Sequence, residues 1–133
     1  TAVETDIGHR ILWLGKLSHE LVPSLLSTVD FCIAPFTKRV FSVTGSSALK
    51  LYESLSLDKP LLVSAGEGHE FIEDNLLGEL VTPEDPKAWA NALNRMGKDT
   101  IKMNGRGRRF AVRHRSVKTM INEVLELCFP SEI

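Results

Sequence analysis

The sequence has 133 residues, of which 43% are hydrophobic and 25% are charged. That composition is ordinary for a single globular domain, and it excludes a disordered tail or a fibrous repeat. The net charge of -1 argues against a dedicated nucleic-acid binder. No apolar run reaches membrane-spanning length. The chain begins at Thr1 rather than at Met, so we expect it to be a piece of a longer protein.

The cysteines and histidines predict no covalent or metal staple. Cys32 and Cys128 both lie in apolar stretches, and we expect buried free thiols there. Two cysteines this far apart make neither a zinc site nor a disulfide framework, and they fit a reducing compartment such as the cytoplasm. The four histidines are scattered without ligand spacing, so no metal cofactor is expected.

Short apolar runs alternate with helical patterns along the chain. Runs bounded by Gly, Pro or polar residues predict buried strands at 10–15, 31–35, 61–64 and 79–82. Apolar residues at i, i+3 and i+4 predict helices, with Pro23 in the first turn of the first one. The predicted helices are 22–29, a segment starting at Ser46 or Ser47 and ending before Leu57, 69–75, 86–97, 100–114 and 116–128.

Two helix starts carry strong local signals. Asp85 followed by Pro86 places a capping residue before a proline at the first helical position. Ser116 offers a cap for the last helix, which Pro130 stops.

The alternation of strand and helix predicts an α/β fold. Right-handed βαβ units would build a Rossmann-like parallel sheet with helices on both faces, as one domain over 1–133. Ligands of such folds bind outside the carboxyl ends of the strands. The loops expected there are 16–18, 36–46, 65–68 and the turn after Thr82.

Residues 44–53 are the best candidate for chemistry. A long loop enters a helix through Gly45, Ser46 and Ser47, and the free N–H groups of such a helix start favour an anion. Lys50 and Glu53 follow on the face opposite the apolar stripe. On spacing alone, this pair is equally consistent with an ordinary surface ion pair.

The positive charge is concentrated near the carboxyl end. Residues 102–133 carry 7 Lys+Arg against 3 Asp+Glu, whereas residues 1–101 carry 9 against 14. One interpretation is a solvated helix face, and the other is contact with an anionic lipid surface or a phosphate group. The second would give peripheral membrane contact through 102–118. The basic residues are Lys102, Arg106, Arg108, Arg109, Arg113, Arg115 and Lys118.

Taken in order, several segments resemble the donor-binding, C-terminal half of group 1 retaining glycosyltransferases, which have the two-domain GT-B fold. Residues 13–18 resemble that family's "FLGx(V/L)S" strand and turn, and residues 22–30 its "LPxLLxxAD" helix. Residues 49–60 resemble "LKLYEYLALGKP". Residues 78–86 resemble "GxLVxPxDP". The likeness covers most of residues 10–97.

The resemblance implies roles for individual residues. Glu53 matches the second Glu of the family's E-x7-E pair, which holds the nucleotide ribose, and a carboxylate suits two vicinal hydroxyls. Lys50 would lie beside the donor diphosphate. Backbone groups of Lys16 and Leu17 would meet the nucleobase. Backbone N–H groups at the helix start would meet the diphosphate, from Ser46, Ser47, Ala48 and Leu49.

The sequence also departs from the family pattern. The first Glu of the pair falls at Gly45, which leaves the catalytic residue unassigned, with Glu67 and Glu70 as weak substitutes. Lys38 and Arg39, in a lengthened loop, are further candidates for phosphate contacts. The first two strands of the family's donor domain, their basic loop and the acceptor domain have no counterpart here. We therefore expect the isolated chain to be inactive.

Three hypotheses follow. The first is the donor-binding part of an enzyme that transfers a hexose-type sugar from a nucleoside diphosphate, with no cofactor beyond that substrate. The second is another GT-B-like enzyme, such as an epimerase or a phosphorylase. The third is a non-catalytic assembly domain, whose open sheet edges would favour a homodimer or a strand swap. The nucleotide, the sugar and the acceptor are not specified by these residues.

Overall fold

Three short parallel strands form one sheet in the computed structural model, which describes residues 10–39 and 49–129. The strands are β1 (Cys32–Ala34), β2 (Leu61–Ser64) and β3 (Gly78–Val81), hydrogen-bonded in the order β1-β2-β3. Both neighbours of β2 run parallel to it, so β2 is the central strand. The predicted parallel α/β sheet is confirmed.

Helices alternate with these strands and then continue beyond the last one. A 3-10 helix at His19–Leu21 leads into α1 (Val22–Thr28). The remaining helices are α2 (Leu49–Ser56), α3 (Phe71–Asp74), α4 (Pro86–Lys98), α5 (Arg106–Arg115) and α6 (Val117–Cys128). None of the helices in the described part of the chain is long and apolar enough to cross a membrane.

The core lies on both faces of the sheet because side chains alternate along β2. Leu61 and Val63 belong to a cluster with apolar residues of α2, α3 and α5. Leu62 belongs to a second cluster, with Ala92 and Met96 of α4. All four residues of β2 are buried, as expected for a strand covered on both faces. The arrangement is helix, sheet, helix.

Two helix caps form as predicted. One carboxylate oxygen of Asp85 accepts hydrogen bonds at 3.0 Å from the backbone N–H groups of Lys87 and Ala88 at the start of α4. The hydroxyl of Ser116 accepts one from the N–H of Thr119 at 3.1 Å in α6. Both side chains satisfy donors that the first helical turn leaves unpaired.

The helix predicted over 100–114 begins later than expected, at Arg106. Asn104 and Gly105 have positive φ angles of 50° and 79°, which no α-helix contains. Asp58 then holds the start of α5: its carboxylate accepts from the N–H of Gly105 at 2.6 Å and from that of Gly107 at 2.9 Å. The cap comes from the turn after α2, so the sequence near the helix does not reveal it.

The strand predicted at 10–15 is wrong. Residues 11–15 have no regular secondary structure, and Leu12 and Trp13 are 81% and 87% exposed. An extended apolar run becomes a strand only when a neighbouring strand takes its hydrogen bonds. Within the described residues, none pairs with this segment.

The last helix has the predicted apolar stripe, but it is uncovered in the described part of the chain. Helix α6 packs against α5, and the apolar stripe of α6 faces outward. Exposed fractions between 49% and 73% are found for Val117, Met120, Ile121, Val124 and Leu125.

The prediction of two buried thiols is wrong, because Cys128 is exposed and Cys32 is only half-buried.

Candidate functional site

A crevice lies outside the carboxyl ends of the strands, where ligands of parallel α/β sheets bind. It encloses about 250 Å³. Its walls come from the residues that follow β1, from the end of β2 and from the turn between β3 and α4. They are Pro35, Phe36, Thr37, Ser64, Glu84, Asp85, Pro86 and Trp89.

Ser64 ties two of these strand ends together. Its hydroxyl oxygen accepts a hydrogen bond from the Phe36 N–H at 2.8 Å and donates one to the Phe36 carbonyl at 2.9 Å. Ser64 is fully buried and Phe36 is half-buried, so both bonds are partly shielded from water. The backbone after β1 is therefore held in a fixed position beside the end of β2.

His69 forms a buried wall behind the same point. It is 1% exposed, and its Nδ1 lies 3.0 Å from the carbonyl oxygen of Ser64. A carbonyl only accepts, so Nδ1 is the donor in this contact. The imidazole ring also packs against the Phe36 ring, with 5.5 Å between centroids. His69 thus supports the site by positioning the backbone of its neighbours.

Lys50 brings a positive charge to this end of the sheet. Its ammonium nitrogen lies 4.3 Å from the centroid of the Phe36 ring, in cation–π geometry. Glu53 follows one turn later and is half-buried. Neither an ion pair between the two nor any other partner for the Glu53 carboxylate is found among residues 10–39 and 49–129. The surface ion pair that spacing alone allowed does not form there.

An aromatic column fixes the orientation of α2. Tyr52 stacks on Phe71 at 6.0 Å, Phe71 on Phe110 at 5.0 Å, and Phe110 lies 4.5 Å from the ring of His114. These rings join α2 to α3 and α5. Glu53, next to Tyr52 in the helix, is held by a rigid element rather than by a loop.

The remaining predicted residues lie mostly on the surface. Lys16 is exposed and Leu17 is half-buried, both in the segment between residue 15 and the 3-10 helix. The predicted helix-start residues Ser46, Ser47 and Ala48, with Gly45, lie outside the described residues. Exposed side chains are found at Lys38, Arg39, Leu49, Glu67 and Glu70.

Sequence reasoning missed two residues that line the crevice, Ser64 and Trp89, and one that supports it from behind, His69. Ser64 was predicted only as the last residue of a strand, His69 only as the start of a helix, and Trp89 only as part of an apolar stripe. The one local signal for His69 is its position directly after the glycine-containing turn that follows the strand at 61–64. The contacts themselves connect separate segments and leave no trace in local spacing.

The described residues were also searched for metal-binding groups and ion pairs. Within residues 10–39 and 49–129, no group of three His, Cys, Asp or Glu side chains is placed to hold a metal ion. A hydrogen bond from Arg95 to the carboxylate of Glu79, and the negative charge of that group, raise the pKa of Arg95. Arg95 is exposed and Glu79 is half-buried, and neither residue lines the crevice.

The family profile described as "Glycosyl transferases group 1" matches residues 1–99. The chain belongs to this glycosyltransferase family. The resemblance read from the sequence is therefore confirmed at the level of the family. A search of curated proteins gave no match.

A solved structure shares the fold of this group 1 glycosyltransferase chain. Sucrose-phosphate synthase from Thermosynechococcus elongatus superposes with a TM-score of 0.73 at 23% sequence identity. The match covers 96% of this chain but 32% of the synthase chain, so the chain spans about a third of that enzyme's length. This likeness establishes a Rossmann-like fold of the GT-B type.

Proposed function

We propose that this chain supplies the donor-binding part of a retaining glycosyltransferase that uses a nucleoside-diphosphate sugar. The observation that carries the proposal is the Glu53 carboxylate, half-buried on α2 and without a partner among the described residues. Two acceptor oxygens on a rigid helix suit two vicinal hydroxyls of a ribose. Family membership over residues 1–99 supports the same assignment.

The charges near Glu53 fit the rest of such a donor. Lys50 is one turn away, and its ammonium group is held over Phe36 at the carboxyl end of β1. A diphosphate beside it would be neutralised in part by this charge and by the N–H groups at the start of α2. Lys16 and Leu17 would supply backbone contacts to the nucleobase, and Lys38 or Arg39 further phosphate contacts.

The proposed reaction breaks the bond between the anomeric carbon of a hexose-type sugar and the diphosphate oxygen. The electron pair of that bond leaves with the diphosphate. A new bond forms from the same carbon to an acceptor hydroxyl oxygen on the same face, and the hydroxyl proton passes to the departing diphosphate. The charge that develops on the departing diphosphate is what the protein must stabilise. Lys50 is the described cation best placed to do so. Glu67 and Glu70 remain candidates for the position where the family has the first Glu.

The 133 residues would act within a larger enzyme. The chain spans about a third of the structurally similar synthase. We propose that the acceptor site belongs to another part of the protein. The chain alone should then bind the donor but transfer no sugar. Transfer by the purified chain above buffer background would contradict this.

The decisive experiment is a calorimetric titration of the purified protein with UDP, GDP and ADP and with their glucose conjugates. We expect saturable binding of one nucleotide. Glu53→Gln should weaken it by about tenfold or more, because hydrogen bonds to a charged carboxylate are lost. Lys50→Gln should weaken the binding of the nucleoside diphosphate but leave the binding of the corresponding monophosphate nearly unchanged.

Glu126→Gln is the matched control for Glu53→Gln. Glu126 is an exposed glutamate on α6, so the same charge is removed from a different helix. Nucleotide binding that is equal in Glu53→Gln and Glu126→Gln would remove the ribose role, and an epimerase or phosphorylase would then be the better assignment.

A second candidate function is assembly, and the exposed apolar surface favours it. Leu12 and Trp13 are 81% and 87% exposed, and one edge of β1 has no partner among the described residues. Open edges and apolar segments promote pairing with another chain. Light scattering across a concentration series tests this: a homodimer or strand-swapped dimer is expected, and a monomer at every concentration would exclude it.

A further inference from the structure

A second cavity of about 250 Å³ lies between α5 and the turn after α3. Leu77, which lines it, directly precedes β3, so this cavity adjoins the amino end of that strand. The crevice described above lies at the opposite, carboxyl end of the sheet. The lining residues are Asn75, Leu77, Arg106, Arg109, Phe110, Arg113 and His114.

The lining of this cavity is strongly basic. Arg106, Arg109 and Arg113 stand at positions i, i+3 and i+7 of α5, which places them on one face of the helix. Among residues 10–39 and 49–129, no Asp or Glu lines the cavity. None of the three arginines forms an ion pair with any carboxylate in the described part of the chain. We call these three residues the arginine triad.

The triad retains unused hydrogen-bond donors. Arg106 gives one donor, Nη2, to the carbonyl of Lys102 at 2.9 Å, and Arg109 gives one to that of Asn104 at 3.1 Å. The Nε of Arg106 is buried and has no partner among the described residues. A buried donor left unsatisfied is costly, so the arrangement favours an acceptor that the described residues do not provide.

Charge leads to the same conclusion. Three guanidinium groups on one face of a helix bring three positive charges close together. Either solvent ions screen them or a bound anion compensates them. Arginine is the side chain best suited to a phosphate, because its planar fork donates two parallel hydrogen bonds to two oxygens.

We propose that the cavity beside the amino end of β3 is an anion site in which the arginine triad binds a phosphate group. The site is separate from the proposed donor site, and its ligand is either a soluble phosphate ester or the headgroup of an anionic lipid. Both ligands present negatively charged, non-bridging phosphate oxygens to the guanidinium groups. Only the second would hold the protein at a membrane surface.

The test compares the wild-type protein with R106Q/R109Q/R113Q. Inorganic phosphate and glycerol 3-phosphate are titrated by calorimetry, and vesicles of phosphatidylcholine with and without phosphatidylglycerol are tested by co-sedimentation. We expect wild-type binding to at least one of these probes, and binding about tenfold or more weaker in the triple variant. Binding to the soluble probes assigns a phosphate ester, and binding to the anionic vesicles assigns a lipid headgroup.

The charge-matched control is K98Q/R108Q/K118Q. These three side chains are exposed and do not line the cavity, so the control removes the same positive charge elsewhere. It should bind within about threefold of the wild type, as for exposed charges in general. If the control loses as much as the triple variant, or if the wild type binds none of the probes, the proposal is overturned.

Two further measurements keep the result interpretable. Arg113→Gln alone removes a side chain with no hydrogen bond to the described residues, so it should fold, and we expect it to bind about threefold to tenfold more weakly. Titration with the nucleotides separates the two sites. The triple variant should bind nucleotide as the wild type does, and Glu53→Gln should bind phosphate as the wild type does.

Discussion

Two apolar segments of similar composition have opposite fates in this molecule. Residues 61–64 form the central strand and are at most 1% exposed. Residues 11–14 are also apolar and end before a glycine, yet their exposed fractions run from 45% to 87%. The residue pattern predicts a buried strand in each of the two segments. What differs is the environment that each segment meets.

The surroundings of β2 explain the difference. Strands β1 and β3 take its hydrogen bonds on either side, and helices cover both of its faces. The segment at 11–14 has neither hydrogen-bonded strand neighbours nor a covering helix within the described residues. A short apolar run therefore specifies a capacity to be buried, and the neighbouring elements decide whether burial occurs.

The largest effect that separates the two segments should come from Leu62→Ala. Leu62 is 0% exposed and packs against Ala92 and Met96, so its truncation leaves a cavity. We expect a loss of about 2–5 kcal/mol in the free energy of unfolding. Urea denaturation measures it. Leu12→Ala is the matched control, and an equal loss there would show that the two segments are equally buried in solution.

Asp58→Ala should have the next largest effect, because it removes the cap that places α5 over the β2 face. The loss should be roughly 2 kcal/mol, less than the full value of two hydrogen bonds to a charged group, because Asp58 is half-buried and water can replace part of what is lost. Asp58→Asn should lose less, because Asn tolerates the positive φ of 58° and retains one acceptor oxygen. Thermal unfolding compares them with Asp99→Ala, an exposed aspartate whose loss should have little effect. Equal stabilities for Asp58→Ala and Asp99→Ala would contradict the capping role.

Asp85→Ala tests how much its cap stabilises α4, the helix that covers the opposite face of the sheet. The substitution removes the cap of α4 and should cost about 1 kcal/mol. Urea denaturation with an unchanged slope would confirm a local effect. Because Asp85 also lines the carboxyl-end crevice, nucleotide titration of the same variant reports whether that wall contributes to binding. No change in unfolding free energy would mean that the cap is dispensable.

The smallest effect should come from Trp13→Ser. A side chain that is 87% exposed loses little on truncation, and we expect a change within about 0.5 kcal/mol. The measurement should be repeated at high protein concentration. A destabilisation that grows with concentration would show that Trp13 is covered by a second copy, which would support the assembly function.

Elements whose capping residues or apolar pattern lie within their own segment could be predicted from the sequence. The Asp85 and Pro86 pair and the Ser116 cap predicted two helix starts correctly, and the apolar run at 61–64 predicted the central strand. The start of α5 was predicted too early because Asp58, which caps it, lies 47 residues before Gly105. The strand at 10–15 was wrong because its pattern says nothing about a partner.

The same distinction applies to the sites. Glu53 and Lys50 were predicted from a motif within one helix, and the structure places them on the element expected. The contacts among Ser64, Phe36 and His69 join separate segments, and sequence spacing does not encode them. The arginines of α5 were recognised as a basic run. Their convergence with residues 75–77 on one cavity depends on how α5 packs, which only the structure shows.

The Asp58 contact also bears on where this unit can be divided. The family profile ends at residue 99, but Met103 and Ala111 belong to the core and Asp58 holds the N–H groups of Gly105 and Gly107. A chain cut at the end of the profile would expose the surfaces of Leu51 and Leu55 that α5 helps to cover. The boundary set by packing therefore lies past the boundary set by sequence similarity, and an expression design should keep α5 intact.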